Sequence, residues 1–491
     1  MFVQRGAYPW NVPVEVETGR FVSVLPEHQE LGVQVAPSPP YGCRDPLVPD
    51  DRLLFADLQT NLYSHVTGRL GSGRAGFFRG WYVKGVGRTP LAGNWNRADH
   101  LHNSGHLAAS SAIREYVATL YLRSRGCASS VVACEGVLLA DLDPALRDYD
   151  RTVYGPTAKH TPPVDRHLQA LTVKRGNFAR QSNFLWLLQH LSPGYLDRGR
   201  SSLHVFCDLL TAALTPPDAA EPAAADTTAE TLASLLMGSV TRAAEHFRQW
   251  FLHGVWWGSF SNNLTIDGRF LDLETPALVG GAWLGNLSTS GDPGAAEHGR
   301  QSSLIGTELF IFLAQTRAFC NFARLALSNL PRWFRAPERE FASELASEIE
   351  RQVLAPDQLL GSRDRALDWA RAMLQDAFGR LPAEDHAAID AVVAAVYDRE
   401  LGSESAAGPE SEPVWPRCVA VAEYPWLLTE PALRWRPFAM TTGSGRLLGP
   451  SDEACRTGRR LADLIRDLDQ TTSLGALLDK LAGLAGRDTI V

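Results

Sequence analysis

Apolar residues recur along the chain with two different periods, which predict two kinds of secondary structure. Short runs rich in β-branched and aromatic residues predict strands at 21–25, 32–35, 75–78, 81–84, 136–141 and 168–173. Apolar residues at helical spacing predict helices at 107–123, 184–191, 231–251, 307–330, 341–353, 387–397, 452–468 and 473–484. Most predicted strands precede most predicted helices, which favours an α+β fold class.

The distribution of these elements divides the chain into three regions. Residues 1–60 are irregular and proline-rich, and we interpret them as an N-terminal extension. The middle of the chain, at 61–330, mixes predicted strands and helices, and a mostly helical C-terminal region follows at 331–491. Composition further predicts a mobile loop at 215–230 and a linker at 402–413.

The composition is that of a soluble globular protein, with 491 residues of which 45% are hydrophobic and 21% are charged. The net charge of −8, without a basic cluster, argues against nucleic acid as a partner. The N-terminus shows no secretory signal, and the seven cysteines never form a CxxC pair, so we expect a cytoplasmic protein. Arg317 and Arg324 interrupt the longest apolar run, at 309–330, which argues against a membrane span.

A hairpin is predicted where Asp267 and Gly268 separate two short β-prone runs. A two-residue turn at this point would bring Asn263 and Asp272 side by side. An amide oxygen and a carboxylate at that separation can share one Mg²⁺ ion, which prefers oxygen ligands. The alternative is an ordinary hairpin, because an asparagine before such a turn and an aspartate after it are common.

A glycine-rich segment, GRLGSGRAGFFRGWYVKGVGRTP at 68–90, predicts a tight loop followed by a hairpin whose second strand ends at Lys84. Protein kinases cover the phosphates of ATP with this arrangement. A plain β-turn is the alternative. Only four of the 47 basic residues are lysines, so a retained lysine is a hint that a compact ammonium is needed at that position.

Two further charged features lie between these motifs. Glu115 falls in the predicted helix at 107–123, where it is either a solvated surface charge or an ion-pair partner of Lys84. Lys174, Arg175 and Arg180 occur within a short segment, which is either a phosphate-binding site or an ordinary basic turn at the surface.

Taken in chain order, these motifs resemble those of the selenoprotein O family of pseudokinases. GRLGSGRA resembles the family's glycine loop, WYVKGVGRTP its lysine strand, SSAIREY its glutamate helix, and HGV…NN…D its metal site. The resemblance covers about residues 60 to 330. It implies a protein-kinase-like bilobal fold, with a small β-rich N-lobe at 61–135, a mainly helical C-lobe at 136–330 and a helical C-terminal extension.

The resemblance also implies an activity, in which ATP lies inverted and AMP is transferred to a protein or peptide acceptor. Glu115 would orient Lys84, the residue at 262 would have the proton-accepting role, and Asn263 and Asp272 would hold Mg²⁺. The residues matched to the nucleotide site are Gly71, Gly73, Arg74, Lys84, Ser104, Gly105, Lys174, Arg180 and Asp272.

The chain departs from the family pattern at several positions, of which Asn262 matters most. The family has an aspartate here, and an asparagine cannot act as a general base because its amide does not titrate near neutral pH. A carboxylate acceptor, such as a peptide C-terminus in a modified-peptide pathway, is already ionised and needs no base. The alternatives are a catalytically silent nucleotide-binding scaffold and a phosphotransferase. Ser72 and Ser104 also replace aspartates of the family, and His106 replaces a basic residue.

Overall fold

The structure is a computed structural model that describes residues 11–35, 52–57, 74–89, 105–144, 162–176, 178–180, 183–184, 202–214, 228–252, 255–256, 263–273, 277–278, 282–283, parts of 340–348, 452–485, 487 and 490. Over these ranges the protein is a mixed α and β structure in which helices accompany an antiparallel sheet. The expectation of mixed α and β structure is confirmed at this level.

Nine strands within the described ranges form one sheet, and their pairings are antiparallel. They are β1 (Asn11–Thr18), β2 (Val22–Ser23), β3 (Val33–Val35), β4 (Leu53–Asp57), β5 (Ala75–Phe78), β6 (Trp81–Lys84), β7 (Leu107–Ala108), β8 (Cys134–Asp141) and β9 (Leu168–Arg175). The order across the sheet is β2-β8-β9-β6-β5-β4-β1-β3, and β7 pairs with β9 off this path. The interior strands β6 and β9 are therefore neighbours.

The hairpin of β5 and β6 forms at the predicted bounds, with Phe78 paired to Trp81. Its turn residues Arg79 and Gly80 have φ angles of 49° and 83°. Positive φ at both turn residues matches the right-handed twist of the flanking strands, which explains the glycine at the second position.

Five helices and a second, small sheet complete the described elements of regular structure, apart from short 3₁₀ turns. The helices are α1 (Ala109–Ser124), α2 (Ser202–Leu214), α3 (Ala229–Leu252), α4 (Asp452–Asp469) and α5 (Leu474–Ala485). The small sheet contains β10 (Val255–Trp256), β11 (Ala277–Leu278) and β12 (Ala282–Trp283). The predictions for α3, α4 and α5 are confirmed to within two residues. The predicted helices at 307–330 and 387–397 and the predicted linker at 402–413 lie outside the described residues.

Helix α1 begins two residues later than predicted, because Leu107 and Ala108 pair with β9 as the short strand β7. The helix is then capped from a distant part of the chain. Asp165 accepts hydrogen bonds from the backbone N–H of Ser110 over 2.7 Å and from its hydroxyl over 2.6 Å. A carboxylate that satisfies the first N–H groups of a helix also complements the helix dipole.

The largest core cluster surrounds α1. Ile113 and Val117 of α1 belong to the same buried cluster as Val137 of β8 and as Leu461 and Leu477 of the C-terminal helices. Helix α1 contacts β8 and β9 as well as α4. The C-terminal helices thus share one core with the helix that carries Glu115.

Among the described helices, none combines enough length with enough apolar character to cross a membrane.

Candidate functional site

Four buried side chains on the central strands share one face of the sheet. Tyr82 and Lys84 are two positions apart on β6, and Thr172 and Lys174 are two positions apart on β9. The register pairs Tyr82 with Lys174 and Lys84 with Thr172. Because alternate residues of a strand point to the same side, and opposed residues share that side, the four side chains form a block of neighbours.

Glu115 reaches this block from α1 and is completely buried. Its Oε1 lies 2.8 Å from the Nζ of Lys174, and its Oε2 accepts a hydrogen bond from the Thr172 hydroxyl over 3.0 Å. The backbone N–H of Leu273 donates to Oε1 over 3.3 Å. Burying a carboxylate costs little free energy only when it is paired and hydrogen-bonded in this way. Through these three contacts Glu115 connects α1 with the sheet and with the segment after Asp272.

Asp272 is the acidic centre of the site and contacts three cationic side chains. Its Oδ1 lies 2.9 Å from the Nζ of Lys84 and 3.9 Å from that of Lys174, and its Oδ2 lies 3.4 Å from a guanidinium nitrogen of Arg180. Burial alone would raise the pKa of Asp272, but the charges of Lys84, Arg180 and Lys174 together hold that pKa well below its usual range. The carboxylate is therefore ionised at any physiological pH.

Arg180 links Asp272 to two further groups. Its NH1 donates to the amide oxygen of Asn263 over 3.0 Å, and its NH2 donates to the Tyr82 hydroxyl over 2.9 Å. Burial opposes the positive charge, but Tyr82 and Asp272 raise the pKa of Arg180 above its ordinary value. Burial raises the pKa of Tyr82 to about 12, although Arg180 lowers it, so the phenol remains neutral. The backbone N–H of Arg180 donates to Asn183 over 2.8 Å, which fixes the main chain.

The hairpin that carries Asn263 and Asp272 has a three-residue loop, so the predicted two-residue turn is wrong. The backbone N–H of Thr265 donates to the carbonyl of Arg269 over 2.9 Å, which leaves 266–268 as the loop. The Thr265 hydroxyl accepts from the backbone N–H of Arg269 over 2.8 Å. This side-chain bond closes the hairpin one residue earlier than the Asp-Gly dipeptide alone would indicate.

The longer loop changes how the two predicted metal ligands meet. The carbonyl of Asn263 accepts from the N–H of Leu271 over 3.0 Å, so Asp272 lies one position beyond the residue opposite Asn263. Asp272 adopts a φ of 58°, in the left-handed region that aspartate tolerates better than most residues. Asn263 and Asp272 are thus brought together at the guanidinium of Arg180 and not by direct opposition across two strands.

Side chains of helix α3 contact the main chain of the loop at residues 266–268. Ser239, Arg242 and His246, spaced three and four positions apart, contact the carbonyls of residues 266, 267 and 268 in turn. The Arg242 bond is 3.1 Å long, and the His246 Nδ1 lies 2.9 Å from its carbonyl. Residues at this spacing lie on one face of a helix, so α3 positions the whole hairpin through main-chain contacts.

The ion pairs differ from the expectation that Glu115 orients Lys84. The structure pairs Glu115 with Lys174 and pairs Lys84 with Asp272. The reason is the position of α1, which packs against β8 and β9. Glu115 therefore lies closest to a lysine of β9. Lys174 was predicted to contact the nucleotide, but its side chain has no solvent exposure and its shortest ion pair is with Glu115.

Two other predicted nucleotide contacts have structural partners. The guanidinium of Arg74 donates to the carbonyl of His106 over 3.1 Å. Gly105 has a φ of 75°, and a Cβ at this position would lie 2.1 Å from the backbone of Gly87 and Arg88. A glycine is therefore required here for a close approach of two main-chain segments. The remaining predicted site residues, Gly71, Gly73, Ser104 and Asn262, lie outside the described residues.

Sequence reasoning missed Tyr82 and Thr172 as parts of the site. A signal was available, since each lies two positions from a lysine on a strand and so faces the same side. It also missed Asp165 and the α3 contacts with the hairpin, for which local sequence offers no signal.

The chemistry of the site suits a polyanion accompanied by a hard cation. Lys84, Lys174 and Arg180 face the carboxylates of Glu115 and Asp272, and the charge of Asp57, which is also buried, acts on Arg180. Asn263 and Asp272 offer an amide and a carboxylate oxygen, the ligand types that Mg²⁺ takes beside phosphate. Across the described ranges, no group of three or more His, Cys, Asp or Glu side chains is arranged to hold a metal ion. An ion held by these two oxygens would take its other ligands from substrate and water.

No protein-family model matches the chain, and no curated protein matches it significantly.

Proposed function

We propose that the protein is an ATP- and Mg²⁺-dependent adenylyltransferase with a protein-kinase-like bilobal fold. The observation that carries this proposal is the buried cluster in which Lys84, Lys174 and Arg180 surround Asp272 beside Asn263. Several motifs that resemble those of the selenoprotein O family supply its members, and they converge although they lie far apart in the chain. Such convergence supports a nucleotide site more strongly than any single motif.

The order of the elements supports the kinase-like fold. Lys84 ends the second strand of a hairpin that follows a glycine-rich segment, and the next helix, α1, carries Glu115. Protein kinases place their phosphate-binding lysine and its glutamate in this order, and an asparagine and an aspartate hold their metal ions. The antiparallel sheet takes its strands from residues 11 to 175, so the proposed β-rich lobe would be larger than the predicted 61–135, and the helices α2 and α3 follow it in the chain.

Each residue of the cluster has a distinct task in the proposed reaction. Lys84 and Arg180 would exchange Asp272 for phosphate oxygens of the incoming nucleotide, and Lys174 with Glu115 would keep the backbone after Asp272 in place. Mg²⁺, when bound by Asn263 and Asp272, would offset the negative charge of the phosphates. Catalysis would then depend on positioning and electrostatic stabilisation within a buried site.

The proposed chemical class of the acceptor depends on Asn262, which stands where a general base would be expected. An oxygen of the acceptor attacks the α-phosphorus of ATP, the bond from that phosphorus to the bridging oxygen breaks, and pyrophosphate leaves. A hydroxyl acceptor must also lose a proton, which Asn262 cannot take. A carboxylate has no proton to lose near neutral pH and forms an acyl-adenylate, so we propose a carboxylate acceptor such as a peptide C-terminus.

The test is incubation of the full-length protein with ATP, Mg²⁺ and candidate peptides, followed by intact mass measurement and a pyrophosphate assay. An added AMP group that hydroxylamine removes would support a carboxylate acceptor. A hydroxylamine-stable AMP group would contradict that acceptor, and an added phosphate group would overturn nucleotidyl transfer.

A second candidate function is a catalytically silent nucleotide-binding scaffold. It is favoured by the complete pairing of Asp272 with cationic side chains and by Asn262. Binding of ATP without release of pyrophosphate, in the presence of acceptors, would favour the scaffold over the enzyme.

A further inference from the structure

Tyr82 lies at the junction of the aromatic core and the cationic cluster, and no part of the proposed reaction has so far required it. Its side chain has no solvent exposure. Phe77 and Phe178 both pack edge-on against it, with ring centroids 5.1 and 4.9 Å away. The ring therefore has little freedom to move, and its hydroxyl occupies a fixed point inside the protein.

The hydroxyl of Tyr82 accepts a hydrogen bond from NH2 of Arg180 over 2.9 Å, while NH1 of the same guanidinium faces Asn263 and Asp272. A guanidinium is planar, so fixing one terminal nitrogen also fixes the direction of the other. The acceptor at Tyr82 thus sets the angle at which NH1 enters the site.

The same tyrosine also lies against the second buried cation. The Nζ of Lys174 and the Cζ of Arg180 are each 5.8 Å from the centroid of the Tyr82 ring. An aromatic face at this distance attracts a cation, so the ring also helps to keep two like charges inside the protein.

We propose that Tyr82 is the positioning residue for Arg180, which holds NH1 toward the phosphate site through the hydrogen bond to NH2. This inference rests on the proposed nucleotide function. When a triphosphate replaces Asp272 as the partner of Arg180, the bond to Tyr82 remains and the guanidinium keeps its direction. Without that bond, binding must also order the arginine.

The test compares Tyr82→Phe with wild type by calorimetric titration of ATP, and of inorganic triphosphate as a probe of the phosphate contacts alone. Phenylalanine keeps the packing against Phe77 and Phe178 but removes the acceptor. A hydrogen bond to a charged group is worth enough to change an affinity about tenfold or more, so we expect both ligands to bind about tenfold more weakly. Adenosine, which lacks phosphate, should bind both proteins equally.

Arg180→Lys provides the coupled variant, since an ammonium lacks the planar fork through which Arg180 contacts Tyr82 and Asn263 in fixed directions. We expect Arg180→Lys to lose about as much triphosphate affinity as Tyr82→Phe, and the double variant to lose little more. Should Tyr82→Phe fail to fold, the Arg180→Lys titration still tests the geometry. The control is Tyr121→Phe, which alters a buried tyrosine on α1 that lies against Arg125, away from the cluster.

The outcomes separate this inference from the proposed function. Weakened triphosphate binding in Tyr82→Phe that disappears in the Arg180→Lys background supports it. Wild-type affinity in Tyr82→Phe, or an equal loss in both backgrounds, overturns the positioning role and leaves the nucleotide site intact. If neither ATP nor triphosphate binds the wild-type protein, the proposed function and this inference both fail.

Discussion

The ammonium of Lys84 lies 2.9 Å from Oδ1 of Asp272, although 188 positions separate the two residues in the chain. Both groups are buried, and Arg180 contacts the other carboxylate oxygen. The cations that suit a triphosphate are thus already paired with Asp272, the residue that suits a metal ion. We infer that a nucleotide must compete with Asp272 for its partners, and this competition can be measured.

Asp272→Asn should strengthen metal-free binding of ATP. The substitution removes a negative charge next to the proposed phosphate site and leaves Lys84 and Arg180 without their carboxylate. Two unit charges about 6 Å apart interact by roughly 3 kcal/mol at an effective dielectric constant of 20, so we expect at least about tenfold tighter binding in EDTA. Mg²⁺ should strengthen ATP binding to the wild type but not to the variant, because the variant lacks the carboxylate ligand. Calorimetric titration with and without the metal measures both effects.

The matched control is Asp467→Asn, which removes an aspartate paired with Lys480 at the surface over 2.7 Å. It should leave ATP binding unchanged under both conditions. Weaker metal-free binding in Asp272→Asn than in the wild type would show that the carboxylate does not oppose the nucleotide.

Glu115→Gln should destabilise the folded protein strongly. The change leaves the ammonium of Lys174 buried without its nearest countercharge, and breaking a buried ion pair on one side costs about 3 to 5 kcal/mol. Replacing both partners, as in Glu115→Leu with Lys174→Met, should restore a large part of that stability, because no unpaired charge remains. Denaturant unfolding measures the free energy of each variant.

Glu135→Gln serves as the control, since Glu135 on β8 pairs with Arg123 on the same helix α1 in a solvent-exposed position. Its effect should stay below about 1 kcal/mol. Equal losses from the two single substitutions would mean that burial of the Glu115 pair is not what makes it important.

The local structure around Lys84 was predictable because its causes are local. Short runs rich in aromatic residues define β5 and β6, and the Arg79 and Gly80 turn is encoded by two adjacent residues, so the hairpin forms at the expected bounds. The grouping of Lys84, Glu115 and Asp272 in one site was expected only through the resemblance to a known family, since the individual motifs left other interpretations open.

The pairing within the site was not predictable from the same patterns. Whether Glu115 meets Lys84 or Lys174 depends on which strands α1 crosses, and that is decided by packing between distant segments. The hairpin register likewise depends on the hydroxyl of Thr265, which outweighs the preference of the Asp-Gly dipeptide. Asp165, 55 positions from the helix end that it caps, carries no local signal at all.

Arg242→Met should loosen the hairpin that carries Asn263 and Asp272. The guanidinium donates to the carbonyl of Asp267 and to that of Leu214, each over 3.1 Å, so its loss leaves two carbonyls without this donor. We expect a loss of about 1 to 2 kcal/mol in local stability. Hydrogen exchange should accelerate by roughly tenfold at residues 265–271, with little change in the sheet.

Arg460→Met, on the exposed side of α4, is the control and should leave the exchange pattern unchanged. If Arg242→Met accelerates exchange equally across the sheet and the hairpin, α3 supports the whole fold and not the hairpin in particular.

Asp469 should make the stability of the protein depend on pH between about 4 and 6. Its Oδ2 lies 2.7 Å from the guanidinium of Arg114 on α1, and Asp165 is the other charged group that acts on it. Burial raises the pKa of Asp469 to about 6, although Arg114 lowers it and Asp165 raises it. Because the folded-state pKa is above the unfolded value of about 3.9, the folded state binds more protons, and stability falls as pH rises through this window.

The unfolding free energies of wild type and Asp469→Asn should therefore diverge by on the order of 2 to 3 kcal/mol from pH 4 to pH 7. The control is Asp463→Asn, which is exposed on the same helix and should follow the wild type. Parallel curves for wild type and Asp469→Asn would show that the contact between α4 and α1 does not titrate in this range.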